Sequence, residues 1–323
     1  MTMMKRMLAM ALCLMMICCC AYAEGPKVGI IQYATHPSLD NCREGFLLGL
    51  ADGGYIDGET VSVEVQNSMA DMSNSDMQAK NLAAYCDMLV GIATPTAMSA
   101  YAATKNEGIP VVFVAVSDAV AAGIVKSNDE PGTNCTGVSD VLNLEEQVKM
   151  IRAFQPNATK IGIIYTTSEP NSVSHLEKIK PIAENYGFEI IAEGITGPSE
   201  VATAATSLVT KGVDCINNFT DNNVVDNLPM VLHVTNDAGI PVYGSEVEQV
   251  VNGCLATQGI DYIALGRVAG QMAAQILSGE AAPETMPVGL IDEVTPAYNS
   301  AVAAALNIQL PEAYASATDV IAE

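Results

Sequence analysis

Tryptophan is absent from the 323 residues and aromatics make up only 5%, whereas Ala, Val, Ile, Gly and Met abound. That is the composition of buried parallel strands covered by small-residue helices. Positive charge is also scarce: 14 Lys and Arg face 37 Asp and Glu, a formal net charge of -23. No stretch can neutralise a polyphosphate backbone, which argues against nucleic acid as a partner. GxSxG, HExxH, Walker and GxGxxG motifs are missing, so no familiar catalytic or nucleotide-binding pattern is available. What is present in quantity is apolar surface. Half of the residues are hydrophobic, enough to exclude a disordered acidic chain, and the length suits two domains.

The first 23 residues read as a secretory signal. Lys5 and Arg6 form a positive start, Met7 to Cys20 is an uncharged run of 14 residues, and Ala21-Tyr22-Ala23 offers the small-x-small cleavage pattern. The run is shorter than the roughly 20 residues that span a bilayer. Export to an extracytoplasmic location is expected. A lipid anchor on Cys18, Cys19 or Cys20 is the less favoured fate, because Ile17, Cys18 and Cys19 stand where a small residue should precede the modified cysteine. Five of the nine cysteines remain after cleavage: Cys42, Cys86, Cys135, Cys215 and Cys254. They are widely spaced, with no CxxC pair or His-Cys cluster, so they read as buried thiols rather than as disulfides or a metal site.

From Lys27 onward, short apolar runs alternate with segments of helical period, the pattern of an α/β chain with parallel sheets. Predicted strands are KVGIIQ at 27–32, VSVEV at 61–65, DMLVGI at 87–92 and IPVVFVAV at 109–116. The order then recurs: KIGIIY at 160–165, GFEIIAEGI at 187–195, VDCINNF at 213–219 and GIPVYGS at 239–245. Four motifs in matching order imply two similar doubly wound parallel-sheet lobes. A helical stretch at 260–279 is expected to return to the first lobe, so several segments cross between lobes as a hinge. The expected division is 24–139 plus 247–292 for lobe I and 140–246 plus 293–323 for lobe II, after the signal at 1–23.

In open parallel sheets, ligands bind beyond the carboxyl ends of the strands. Here those ends carry ATHPSLD, ATPTAMS and VSDAVAAG in the first half, and TTSEPNS, TDNNVVD and GSEVEQV in the second. Helix capping alone selects the same residue types. As a set, however, six polar loops on one edge of two lobes describe a cleft whose helix N-termini suit an anionic group. Thr94, Thr96 and Ser117 would suit a carboxylate, and Asp118, Asp221 and Glu246 an ammonium, which together describe a zwitterion such as an α-amino acid. His36 belongs to the cleft, whereas His175 and His233 fall in helical segments and read as core or solvated.

The segments GIIQYATHPSLDNCREGFLLGLADGGYIDGETV, GIATPTAMSAYAATKNEGIPVVFVAVSDAVAAGIV, TGVSD, YTTSEPNS, TDNNVV and GIDYIALGRVAGQMAAQILSGE resemble the bacterial ABC-transporter solute-binding proteins of the type I fold. The likeness is to the branch with tryptophan- and phenylalanine-binding members. It implies a non-enzymatic, extracytoplasmic, monomeric receptor that needs no cofactor or metal, closes on a small solute and docks on a membrane permease. Carried over, the cleft motifs fall on Gln32 and His36, Thr94 and Thr96, Ser117 and Asp118, Asn171 and Ser172, Asp221 and Asn222, and Ser245 and Glu246. Tyr33 and Tyr165 could supply a stacking face. One departure is Ala119, where the family usually has Pro. The resemblance favours an aromatic amino acid; a nucleoside, sugar or peptide ligand, a chemoreceptor adaptor and a secreted hydrolase stay open as alternatives. A gene regulator's effector domain would need an N-terminal helix-turn-helix where the signal stands.

Overall fold

The computed structural model describes residues 25–291 and 294–321; the signal segment lies outside the described residues. Strands β1 (Lys27–Gln32), β2 (Ser62–Asn67), β3 (Met88–Ile92), β4 (Val111–Val114), β5 (Cys135–Ser139) and β11 (Gly289–Leu290) form one sheet in the order β11-β5-β4-β3-β1-β2. Every pairing in it is parallel. β3, β4 and β5 are buried throughout, which explains the unbroken apolar character of β3 and β4; β5 buries Thr136 and Ser139 as well. The predicted strand 109–116 ends early, at Val114, because Ala115 turns to a φ of 56°.

The second lobe repeats the plan with β6 (Lys160–Thr166), β7 (Glu189–Ile195), β8 (Cys215–Asn217) and β9 (Val242–Tyr243), ordered β7-β6-β8-β9 and again parallel. The repeat extends to single bonds. The Lys27 amide donates to Asp87 and the Lys160 amide to Asp214, each at 2.8 Å, so one aspartate clamps the start of the central strand in both lobes. Backbone bonds from Leu255 to Val242 and from Gly244 to Ala256 then continue the second sheet into β10 (Ala256–Ile260). β12 (Val294–Tyr298) pairs antiparallel with β10, and β13 (Thr318–Asp319) closes the edge.

The helices connecting these strands are α1 (Pro37–Asp52), α2 (Met72–Ala83), α3 (Thr94–Thr104), α4 (Leu144–Phe154), α5 (Pro170–Asn185), α6 (Val201–Thr210), α7 (Asn222–Asp226), α8 (Leu228–Ala238), α9 (Val247–Val251), α10 (Tyr262–Leu277) and α11 (Ser300–Ala305). None of the helices among the described residues is long and apolar enough to cross a membrane. α10 lies on α1, where a side chain on Gly49 would meet the Arg267 carbonyl at 1.9 Å and one on Gly270 the Phe46 carbonyl at 2.1 Å. Only glycine permits that approach of two backbones. Phe46 and Leu50 are fully buried beside this contact.

The chain crosses between lobes after β5, between β10 and α10, and between β11 and β12. The return to the first lobe falls at Asp261 rather than at 247, because β10 pairs with β12 in the second lobe and α9 packs on both strands. The cysteines Cys42, Cys86, Cys135, Cys215 and Cys254 are all buried and free.

Candidate ligand site between the lobes

Helices α1, α3, α5 and α10 each follow the carboxyl end of a strand; no side chain caps the first amides of α1, α3 and α5, whereas Asp261 takes those of α10. Pro37, Pro95 and Pro170 occupy the first turns of α1, α3 and α5, where a missing amide costs nothing. A small cavity lies where these helices converge. The first lobe lines it with His36, Leu39, Ala93, Thr94, Ala115 and Ser117, and the second with Asn171, Thr220, Asn222 and Glu246. Asp140 and Tyr262 complete the wall from two of the crossings.

The lining is polar, and among the described residues that form it there is no Lys or Arg. An anionic ligand group must therefore be met by amides and hydroxyls. Burial pushes the Asp140 carboxyl up to about 6, although Ser117 and Tyr262 bond to it at 2.8 and 3.0 Å. Burial also pushes Glu246 up to about 8, against the opposing bond from Ser38. His36 is driven down to about 4 by burial, with the Asn222 amide beside it pulling weakly the other way, so its imidazole is neutral at pH 7. Both His36 ring nitrogens and the Asn171 Oδ1 are buried without a well-formed bond to the protein. Ala93 and Ala115, at the ends of β3 and β4, hold φ values of 78° and 56°. Positive φ in two non-glycine residues is local strain, and both stand in the cavity wall.

Several bonds join the lobes around the cavity. Ser38 Oγ donates to Glu246 Oε2 at 2.5 Å and Asn41 Nδ2 to Glu248 Oε1 at 2.7 Å. On the rim, Asp118 Oδ2 takes Lys178 Nζ at 2.6 Å and Ser174 Oγ at 2.9 Å. Burial raises the Asp118 carboxyl, but Lys178, the Ala121 amide and Ser174 together hold it below its ordinary value.

Of the residues expected in the cleft, His36, Thr94, Ser117, Asn171, Asn222 and Glu246 meet at this cavity. The others are held elsewhere by bonds within their own surroundings. Gln32 bonds to the Ala34 carbonyl, Asp40 and Arg43, and Thr96 turns back to the Ile92 carbonyl at 2.6 Å. Ser245 donates to the Asn218 carbonyl, and Asp118 lies on the rim. Asp221 accepts from the Thr166 amide and hydroxyl, from Ser172 and from the Val224 amide, so neither it nor Ser172 is free for a ligand. Tyr33 donates to the Ala70 carbonyl, and Tyr165 packs against the core. Leu39, Ala93, Ala115, Asp140, Thr220 and Tyr262 also line the cavity, although nothing in the sequence singles them out. The one local signal for them was proximity to strand ends, which does not single out a residue.

A family model described as ABC transporter substrate binding protein matches residues 27–321. The chain belongs to this family. The substrate-binding family member described here is 38% identical, over 284 residues, to a tyrosine-binding protein from Clostridioides difficile, covering 88% of this chain and 81% of that one. It superposes on a Streptococcus pneumoniae ABC domain in complex with L-Trp at a TM-score of 0.87, with 35% identity, over 91% of this chain and 99% of that one. Against the ligand-free, open structure of a substrate binding protein with adhesive properties from Clostridium difficile, the TM-score is 0.69 at 37% identity, over 92% and 100% of the two chains. Two lobes of parallel sheet joined at three crossings make this substrate-binding protein a member of the type I fold class.

Proposed function

We propose that the chain is the extracytoplasmic receptor of an ABC importer, taking an α-amino acid with an aromatic side chain into the cavity between its lobes. The observation that carries this reading is the cavity itself: helix N-termini and hydroxyls from both lobes, acidic side chains, and no basic residue among the described lining. The first turn of α3, with Thr94, suits the ligand carboxylate. Asp140, Glu246 and the asparagine oxygens suit its ammonium. The likeness to a tyrosine-binding protein and to an L-Trp complex supports the aromatic side chain.

Ligand bridges the two lobes and shifts a population from open to closed through contacts available only when they meet. The higher TM-score against the L-Trp complex than against the open neighbour, at nearly equal identity, supports assigning the present arrangement to the closed form. The closed monomer is then the shape a permease recognises, with no turnover of the solute. The test is calorimetric titration of the purified protein with L-tyrosine, L-tryptophan and L-phenylalanine beside a sugar and a nucleoside, with native mass spectrometry of whatever co-purifies. Saturable binding confined to the amino acids is expected. Binding of the sugar or nucleoside alone, or chemical conversion of any solute, would overturn the reading.

A further inference from the structure

Glu169 does not line the cavity, yet it stands directly behind the two asparagines that do. It is buried at the start of α5. Its Oε2 accepts Asn222 Nδ2 at 2.8 Å, the Asn222 backbone amide at 3.2 Å and Asn171 Nδ2 at 3.4 Å. Asn171 Nδ2 donates also to the Thr220 carbonyl at 3.1 Å. A backbone carbonyl only accepts, and a carboxylate oxygen holding several N–H groups accepts from each of them. The NH2 ends of both asparagines are therefore turned away from the cavity. In a planar amide this leaves the oxygen ends toward it. The consequence is visible at Asn171, whose Oδ1 is buried and without a protein partner, while Asn222 stands beside His36 of the opposite lobe.

We propose that Glu169 is a positioning residue: it fixes the orientation of the Asn171 and Asn222 side chains so that the second lobe presents two amide oxygens to the ligand's ammonium. This rests on the amino-acid reading above. It assigns the Asn171 and Asn222 wall to a hydrogen-bond donor on the ligand, and so places the carboxylate at the opposite, α3 side. Asp221, next to Glu169, cannot take over the task, because its two oxygens already accept four bonds within its own lobe. The ligand is recognised through neutral acceptors, with the carboxyl group that orients them one layer behind.

The test compares two probes by calorimetry: the better bound of L-tyrosine and L-tryptophan, and the analogue of that amino acid lacking the amine. The ratio of their affinities measures how well the ammonium is received. A merely structural loss weakens both probes alike and leaves the ratio unchanged. In Glu169→Met the ratio should fall about tenfold or more, since the asparagines are free to flip. In Glu169→Gln it should stay close to the wild-type value, because the glutamine oxygen still accepts the same NH2 groups. An unchanged ratio in Glu169→Met overturns the proposal. So does an equal loss in Glu169→Gln, which would assign the effect to charge rather than orientation. Should the Met variant not fold, a crystal structure of the wild-type complex decides: a ligand nitrogen on Asn171 and Asn222 Oδ1 supports the assignment, and a ligand carboxylate there overturns it. Failure of the wild type to bind either amino acid would remove the amino-acid reading itself, and this inference with it.

Discussion

Ser38 of α1 donates to Glu246 at 2.5 Å, a buried bond that joins the first lobe to the second at the cavity wall. The bond exists only while the lobes meet, and without it Glu246 keeps its burial but loses a donor. Ser38→Ala should therefore weaken ligand binding by about 1 kcal/mol, roughly fivefold, with a smaller change in the stability of the unliganded protein. Calorimetry beside a thermal melt separates the two; equal affinity in the variant would show that the contact plays no part in closure.

The rim pair between Asp118 and Lys178 is more exposed, with the lysine side chain 54% accessible. Such pairs contribute about 0–1 kcal/mol and are screened by salt. Lys178→Met is expected to lower affinity by no more than about fivefold at low ionic strength, and the difference from wild type should vanish near 1 M salt. A salt-independent loss would point to packing instead.

Asp221 caps α7 and ties Thr166, Ser172 and Val224 together inside the second lobe. Asp221→Ala leaves these donors without partners, at about 1–3 kcal/mol of stability. A lower melting temperature in the absence of ligand is the expected outcome. Loss of binding with an unchanged melt would instead return this aspartate to the ligand.

Folding pushes Asp140 to about 6, and Glu169 and Glu246 to about 8, in each case chiefly by burial. The folded chain thus holds protons that the unfolded chain has already released. Stability from these groups is present at low pH and is lost as pH rises from about 4 to about 8. The carboxyl of Asp118, held below its ordinary value, titrates beneath that window. Below about pH 6.5 the buried His36 and His175, both lowered to about 4, act in the opposite sense, so ligand-free melts between pH 6.5 and 8.5 should show the falling melting temperature, and Glu246→Gln should flatten it. A rising curve would contradict the burial of these carboxyls.

Gly49→Val places a branched side chain where the Arg267 carbonyl now lies 1.9 Å from a Cβ position. The helices must separate, at about 3 kcal/mol, and the melting temperature should drop by about 5–10 °C. Gly54→Ala, at a surface turn with no atom within 4 Å but with φ of 88°, should cost less.

The order of strands and helices, the internal repeat and the cleft edge were legible in the sequence because each rests on local chemistry. Apolar runs, helix starts such as Pro37 and Pro170, and the paired positions Asp87 and Asp214 act within a few residues of the chain or repeat at similar offsets. The same reasoning named His36, Thr94, Ser117 and Glu246, which follow strand ends, while Asn171 and Asn222 came from the family resemblance.

What only the tertiary structure decided is which polar group is free. Asp221 and Asp118 look like ammonium partners until Thr166, Ser172 and Lys178 arrive from other elements and occupy their oxygens. Asp140 and Tyr262 reach the cavity from two separate crossings, and Ala93 and Ala115 mark it by backbone angle rather than by side chain. A residue's type and spacing set what it can bind. The neighbours that folding brings to it decide whether that capacity is satisfied internally or turned toward a ligand.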